Sequence, residues 1–279
     1  MEVTYVTKNK VLLTGSVVIS AASVLLLAQL VFAAVTGSLL PSSDGAYLQW
    51  TPKTGTTHYT MVDELSCNGT TDYNYTNTVG NRDSYGVNLA SVPDGSTVTA
   101  IEITPCASRN QNGNGSATMN VFYRWNGTDS ADAGTYALTG TTPTQLAATT
   151  FGGLSLVKGS ASTLQIGAVL SAGTKGARLS RIAVVATYTP LSAPSSLTAT
   201  ASSSSAILNW TDNSTNEDGF KVERHNTATT TFSEIVSVGA GVTTYTDPGL
   251  FPDTYTYRVR AFNAGGFSDY SNTASTTIP

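Results

Sequence analysis

The chain has 279 residues, 40 % of them hydrophobic and only 11 % charged, with a formal net charge of -4. This length and apolar content suit two ordinary domains and exclude a disordered chain. The acidic balance and the lack of any Lys/Arg cluster leave no field for condensing on phosphates, so no nucleic acid is expected as a partner.

At the N-terminus Lys8 and Lys10 precede the apolar stretch Val11 to Val35, which ends in small residues. The order of charged, apolar and small segments is that of an export signal, and cleavage after Ala33 fits the Val31-Phe32-Ala33 site. The stretch also reaches the roughly 20 residues needed to span a bilayer. An uncleaved membrane anchor and a filament-core helix packed against copies of itself, as in pilin-like subunits, are therefore alternative expectations. With Lys8 and Lys10 inside, the positive-inside bias places everything after Val35 outside the cytoplasm in each case.

From Gly45 onward, short period-two segments recur between turn signals. Ala117, Met119, Val121, Tyr123 and Trp125 alternate with Thr118, Asn120, Phe122 and Arg124, and the Asn126-Gly127 turn closes that strand. Further strands are predicted at Thr97 to Thr104, Thr163 to Leu170 and Arg178 to Thr189. Their spacing argues for an antiparallel, jelly-roll-like sandwich rather than βαβ units. Trp50-x-Pro52, Val62-Asp63-Glu64, Thr71-Asp72-Tyr73 and the closing Ile182 to Tyr188 strand are similar to uncharacterised β-sandwich domains of bacterial surface and phage structural proteins. That likeness carries over no functional residue.

Cys67 and Cys106 are the two cysteines, and neither lies in a C-x-x-C pattern. In an exported chain a disulfide is the expected reading, with two separate buried thiols as the alternative. Carbohydrate binding needs aromatic faces beside amide and acid groups, and Tyr47, Trp50, Tyr59, Tyr85, Trp125 and Tyr136 are among the aromatics of this half. Trp50 and Trp125 are expected in the core. In Asp72-Tyr73-Asn74-Tyr75 the surroundings are more polar, so Tyr73 and Tyr75 are the candidate ligand platform. The acids form no paired-carboxylate strand of glycosidase type. His58 and His225 fall in different halves, so no catalytic triad, metal site or cofactor is expected.

At Thr189-Pro190-Leu191-Ser192-Ala193-Pro194 two prolines mark a short linker. Beyond it, Ala193 to Ala199, Ile207-Leu208-Asn209-Trp210, Phe220 to Arg224, Tyr245-Thr246-Asp247, Pro252 to Ala261 and Asn263 to Ser268 follow one another in an order that resembles a fibronectin type III module of bacterial extracellular type. The resemblance implies that Trp210 is the core tryptophan and Tyr255 the tyrosine corner. The polar run Asp212 to Gly219 offers alternate oxygens before a glycine, as a calcium loop does, with Ser214, Asn216 and Asp218 in ligand register. His225 stands where that loop needs a bidentate Glu, so a plain connecting loop is the favoured reading.

The expected fold class is all-β: an N-terminal hydrophobic helix (1–35), a jelly-roll-like antiparallel β-sandwich (38–190) and a fibronectin type III, Ig-like β-sandwich (193–279). The expected role is non-enzymatic, in surface display, adhesion or structural assembly. Carbohydrate binding, a filament subunit and a glycosidase fragment are the alternatives, in falling order. The expected partners are a surface protein, a carbohydrate or a second copy of the chain. Membrane contact is expected only through the N-terminal helix, and the location is secreted or cell-surface.

Overall fold

A computed structural model describes residues 33–67, 71–229 and 231–279. Most of the apolar stretch Val11 to Val35, and with it the signal, anchor or filament-helix expectation, lies outside these residues. Its last two residues, Ala34–Val35, form strand β1. They pair with Tyr188 and Thr187, so the described end of that stretch is sheet edge rather than helix. Among the described residues no helix is long and apolar enough to cross a membrane.

The first sandwich continues with β2 (Pro41–Leu48), β3 (Thr51–Pro52), β4 (Asn74–Thr76), β5 (Arg82–Val87), β6 (Thr97–Arg109) and β7 (Ala117–Trp125). It is completed by β8 (Thr128–Asp129), β9 (Ala133–Leu138), β10 (Thr144–Gln145), β11 (Thr149–Val157), β12 (Leu164–Gly173) and β13 (Ala177–Thr189). The long strands of sheet I lie in the order β4, β13, β6, β11 and those of sheet II in the order β5, β12, β7, β9, with β2 added outside β5. Successive strands therefore cross between two antiparallel sheets, which is the double Greek-key connectivity of a jelly roll.

Period-two alternation explains the core. Met119, Val121 and Trp125 of β7 face Ile101 and Ile103 of β6 and Ile182 and Val184 of β13 in one apolar cluster, which also holds Trp50. Asn126 and Gly127 take positive φ (47° and 85°), so Trp125 pairs with Thr128 in a two-residue hairpin. Cys67 and Cys106 form a disulfide, which straps the segment after the 3-10 turn Tyr59–Met61 onto β6.

The second sandwich comprises β14 (Ser195–Ser202), β15 (Ser205–Thr211), β16 (Gly219–Asn226), β17 (Ser233–Gly239), β18 (Thr244–Asp247), β19 (Asp253–Asn263), β20 (Gly266–Phe267) and β21 (Ala274–Ile278). Sheet III has the order β14, β15, β18; in sheet IV β17, β16, β19 lie side by side and β20 and β21 both pair with β19. A separate core joins Leu208 and Trp210 to Phe220, Val222, Tyr257 and Val259.

Val31–Pro279 form one compact unit, so the two sandwiches are in contact. The linker is fastened at its join. Leu191 is buried in the second core, and Ser214 Oγ accepts from the Ser192 N–H (2.8 Å) while donating to the Ser192 carbonyl (2.9 Å).

Candidate functional site

Tyr73 and Tyr75 are two residues apart in extended chain and lie on the same face of sheet I. The expectation of two exposed rings is corrected here. Tyr73 is only 7 % exposed, because Arg178, which pairs with Tyr75 across β4 and β13, places its guanidinium 4.8 Å from the Tyr73 ring centre. Hydrogen bonds to the Asn110 side chain (3.0 Å) and carbonyl (2.7 Å) hold that guanidinium in place. The Lys53 ammonium lies 5.8 Å from the same ring, and half-buried Tyr75 meets it edge to face. At 7 % exposure the Tyr73 ring is too buried to offer a face to a ligand.

A different aromatic, Tyr47, stands in a built polar array on the outer face of sheet II. The register of β2 against β5 breaks between Asp44 and Leu48, and the chain bulges there over the neighbouring strands. The Tyr47 N–H donates to Ser84 Oγ (3.0 Å), and the Ala46 N–H donates to Gln165 Oε1 on β12 (2.8 Å). The Tyr47 ring reaches β7, where it meets Phe122 edge to face at 5.8 Å, and its hydroxyl donates to Asp129 (2.6 Å). The Asn126-Gly127 hairpin sets Asp129 opposite Arg124, and the two pair at 2.6 Å. Beside them Arg82 lies 4.5 Å from the Phe122 ring centre and donates to both oxygens of Asp132 (2.6 and 2.7 Å). Partial burial would raise the Asp129 carboxyl, but hydrogen bonds from Tyr47 and Arg124 outweigh it and hold the group below the usual carboxylate range. The same bond to Asp129 keeps the Tyr47 phenol protonated to higher pH than usual.

Beneath this face lies a buried polar network. His58 Nδ1 sits 2.9 Å from both Asp83 oxygens, Tyr85 donates its hydroxyl to Asp83 (2.8 Å), and Asn74 donates to the Tyr85 hydroxyl (3.0 Å) and to the His58 carbonyl (2.8 Å). A Ser-His-Asp machine needs a hydroxyl at the other imidazole nitrogen. Among the described residues none is bonded there, and within the network Asn74 Oδ1 is buried without a partner among them. Burial pushes the Asp83 carboxyl up from 3.8 to about 6, against the opposing hydrogen bonds and charge of His58 and the hydrogen bond of Tyr85. A folded value above the unfolded one means that the proton stabilises the fold. This contribution is complete below about pH 4 and is lost as pH rises through 6. Unfolding followed across that window should show the first sandwich losing stability with rising pH, and Asp83→Asn should flatten the slope. An equal slope in the variant would refute the assignment.

The second sandwich carries the expected landmarks. Trp210 is 5 % exposed and meets Phe220 edge to face at 5.8 Å. Tyr255 donates its hydroxyl to the carbonyl of Phe251, four residues upstream (3.2 Å), which is the tyrosine-corner contact. Between β15 and β16, the side chains of Asp212 to Gly219 diverge rather than converge on a cation. Asp212 accepts from the Ser214 N–H (2.9 Å), Ser214 holds Ser192, and Asn216 Nδ2 donates to Thr97 Oγ1 (3.1 Å) and the Thr189 carbonyl (3.2 Å) in the first sandwich.

Residues 192–277 are a fibronectin type III domain. Its order of strands, core tryptophan and tyrosine corner are those laid out above. The fibronectin type III domain is similar to a Fn3-like protein from Clostridium thermocellum (26 % identity over 32 % of this chain and 96 % of that one, TM-score 0.28). It is also similar to an FN3 domain of human collagen XX (22 % identity, 32 % and 92 % coverage, TM-score 0.29). Against the structure of titin kinase and its flanking domains, identity is 26 % over 31 % of this chain, which spans 17 % of that one, with TM-score 0.28. No curated protein matches the chain in sequence.

The fibronectin domain is fastened to the jelly roll by its own loops. Asn263 Nδ2 donates both to the Gly95 carbonyl of the first sandwich (2.8 Å) and to the Asn216 carbonyl (2.9 Å). Gly265 allows the close approach, because a Cβ there would meet the Lys158 carbonyl at 2.4 Å. Lys158, itself ion-paired with Asp94, completes the first sandwich's side of the join. The polar run that suggested a ligand loop is thus half of an inter-domain clasp. Sequence inspection missed this role because neither Gly95 nor Thr97 stands out as a partner.

Proposed function

We propose that this is a non-enzymatic exported or cell-surface protein in which tandem β-sandwiches serve surface display, adhesion or structural assembly. The observation that supports this reading best is the clasp at Asn216 and Asn263. Linked domains move independently unless their interface holds them, and here a side chain of each loop bonds to the backbone of the first sandwich. A stiff pair of modules transmits position, as a display or assembly element must. The Cys67–Cys106 disulfide fits an oxidising compartment outside the cytoplasm.

Each bond of the clasp contributes about 0.5–1.5 kcal/mol. The double variant Asn216→Ala/Asn263→Ala should therefore let the modules tumble separately, seen as two distinct rotational correlation times in NMR relaxation. One shared time in the variant would show that these two side chains are not what holds the pair, and two times already in the wild type would remove the stiff-pair basis of the proposal. Protease treatment of intact producing cells should cleave the protein, and full protection would oppose surface display.

The second reading is carbohydrate binding by the first sandwich. It is favoured by the Tyr47 array, which combines an aromatic ring with amide, acid and guanidinium groups on an open sheet face.

A further inference from the structure

Resting on the carbohydrate reading, we propose that the outer face of sheet II around Tyr47 is a site for neutral glycans and that it discriminates against anionic ones. Six side chains from separate parts of the chain meet there: Tyr47, Arg82, Arg124, Asp129, Asp132 and Gln165. The two guanidiniums and two carboxylates are paired one to one, Arg82 with Asp132 and Arg124 with Asp129, so the array carries no net charge. An anionic sugar gains a guanidinium only by competing with an aspartate already bonded at 2.6 Å, and it meets the second carboxylate as a like charge. A neutral hydroxyl has no such conflict. It donates to a remaining carboxylate lone pair and accepts from a remaining guanidinium N–H at the same time.

Unused valences are present for this purpose. The half-buried Arg124 keeps guanidinium N–H groups beyond the one that meets Asp129. Gln165 accepts through Oε1 from both the Ala46 N–H (2.8 Å) and Ser84 Oγ (3.0 Å). That fixes which end of the amide is the donor, and its nitrogen has no partner among the described residues.

The array is also rigid before any ligand arrives, which lowers the ordering cost of binding. Its floor is Phe122, which lies on the sheet because β12 has Gly167 beneath it. A Cβ at that position would meet the Phe122 ring at 2.5 Å. Above the floor, Arg82 stacks on Phe122 and the half-buried Tyr47 ring is held through its hydroxyl by Asp129. An aromatic ring beside alternating donors and acceptors of zero net charge is the complement of a polyhydroxylated, uncharged ring.

The test is an array of neutral glycans (glucans, mannans, galactans) and acidic ones (uronate, sialylated and sulfated), probed with the wild-type protein, Tyr47→Ala and Gln165→Glu. The expected result is binding to at least one neutral glycan, weakened by about tenfold or more in each variant, the loss of one good contact. Gln165→Glu keeps the size and the two accepted hydrogen bonds while removing the donor, and a thermal melt of each variant confirms folding. Binding confined to acidic glycans overturns the inference and leaves the carbohydrate reading standing. Binding to no glycan overturns both, and neutral binding unaffected in either folded variant moves the site elsewhere.

Discussion

Trp210→Ala is expected to destabilise the fibronectin type III domain by about 3–5 kcal/mol. The indole lies in the core with Leu208 from the same strand and Phe220 and Val222 from the facing sheet. Phe220 is fully buried and pinned between neighbours, so it cannot swing to refill the space. Domains of this size hold about 5–15 kcal/mol in total, and the variant module should lose much of its margin. Trp210→Phe should be milder for a specific reason. The indole Nε1 is buried with no hydrogen-bond partner among the described residues, a liability of about 1–3 kcal/mol that phenylalanine does not carry. Denaturant unfolding checks both variants: the midpoint should fall most in Trp210→Ala at constant m-value. A loss under about 1 kcal/mol in Trp210→Ala would place the ring outside the effective core.

Reduction of the Cys67–Cys106 disulfide is expected to cost the first sandwich up to about 4 kcal/mol in the chain-entropy model. The cross-link spans a sequence separation of 39 residues, and Cys106 sits fully buried on β6, central in sheet I. The strap is also tied to β13 by the Ile182 N–H, which donates to the Val62 carbonyl (3.1 Å), and by Arg181 Nε, which donates to the Glu64 carbonyl (2.9 Å). Burial of Glu64 pushes its carboxyl up to about 7, so closing the strap over sheet I also favours the protonated acid. After complete reduction, verified by alkylation and intact mass, the thermal midpoint of the first sandwich should drop. That of the fibronectin domain should not move, because both cysteines lie outside it. An unchanged first midpoint would show that the strap is held by packing alone.

The legible and illegible parts of this protein divide by the range of the interactions. In β15, Ala206, Leu208 and Trp210 point inward at every second residue, so strand, buried face and core tryptophan could all be read from seven consecutive letters. The Tyr255 corner was legible too, since its hydroxyl partner is only four residues away. In β7 the inward set was readable, yet Phe122 on the other face is also fully buried, which no alternation rule anticipates. It is covered by Tyr47 and Arg82, and a bulge in β2 put Tyr47 there.

The expected exposure of Tyr73 failed for the same reason. Tyr73 looked exposed because its sequence neighbours are polar, whereas Arg178, more than a hundred positions later, decides its burial. By itself the sequence determined the all-β character of the described residues and the fibronectin type III module, because turn chemistry, period-two burial and the order of spaced motifs are local properties of the chain. Only the tertiary structure decided that Asp212 to Gly219 clasps the neighbouring sandwich and that the polar array forms around Tyr47. Those contacts join residues on different strands, and a hydrogen bond is set by distance in space rather than along the chain.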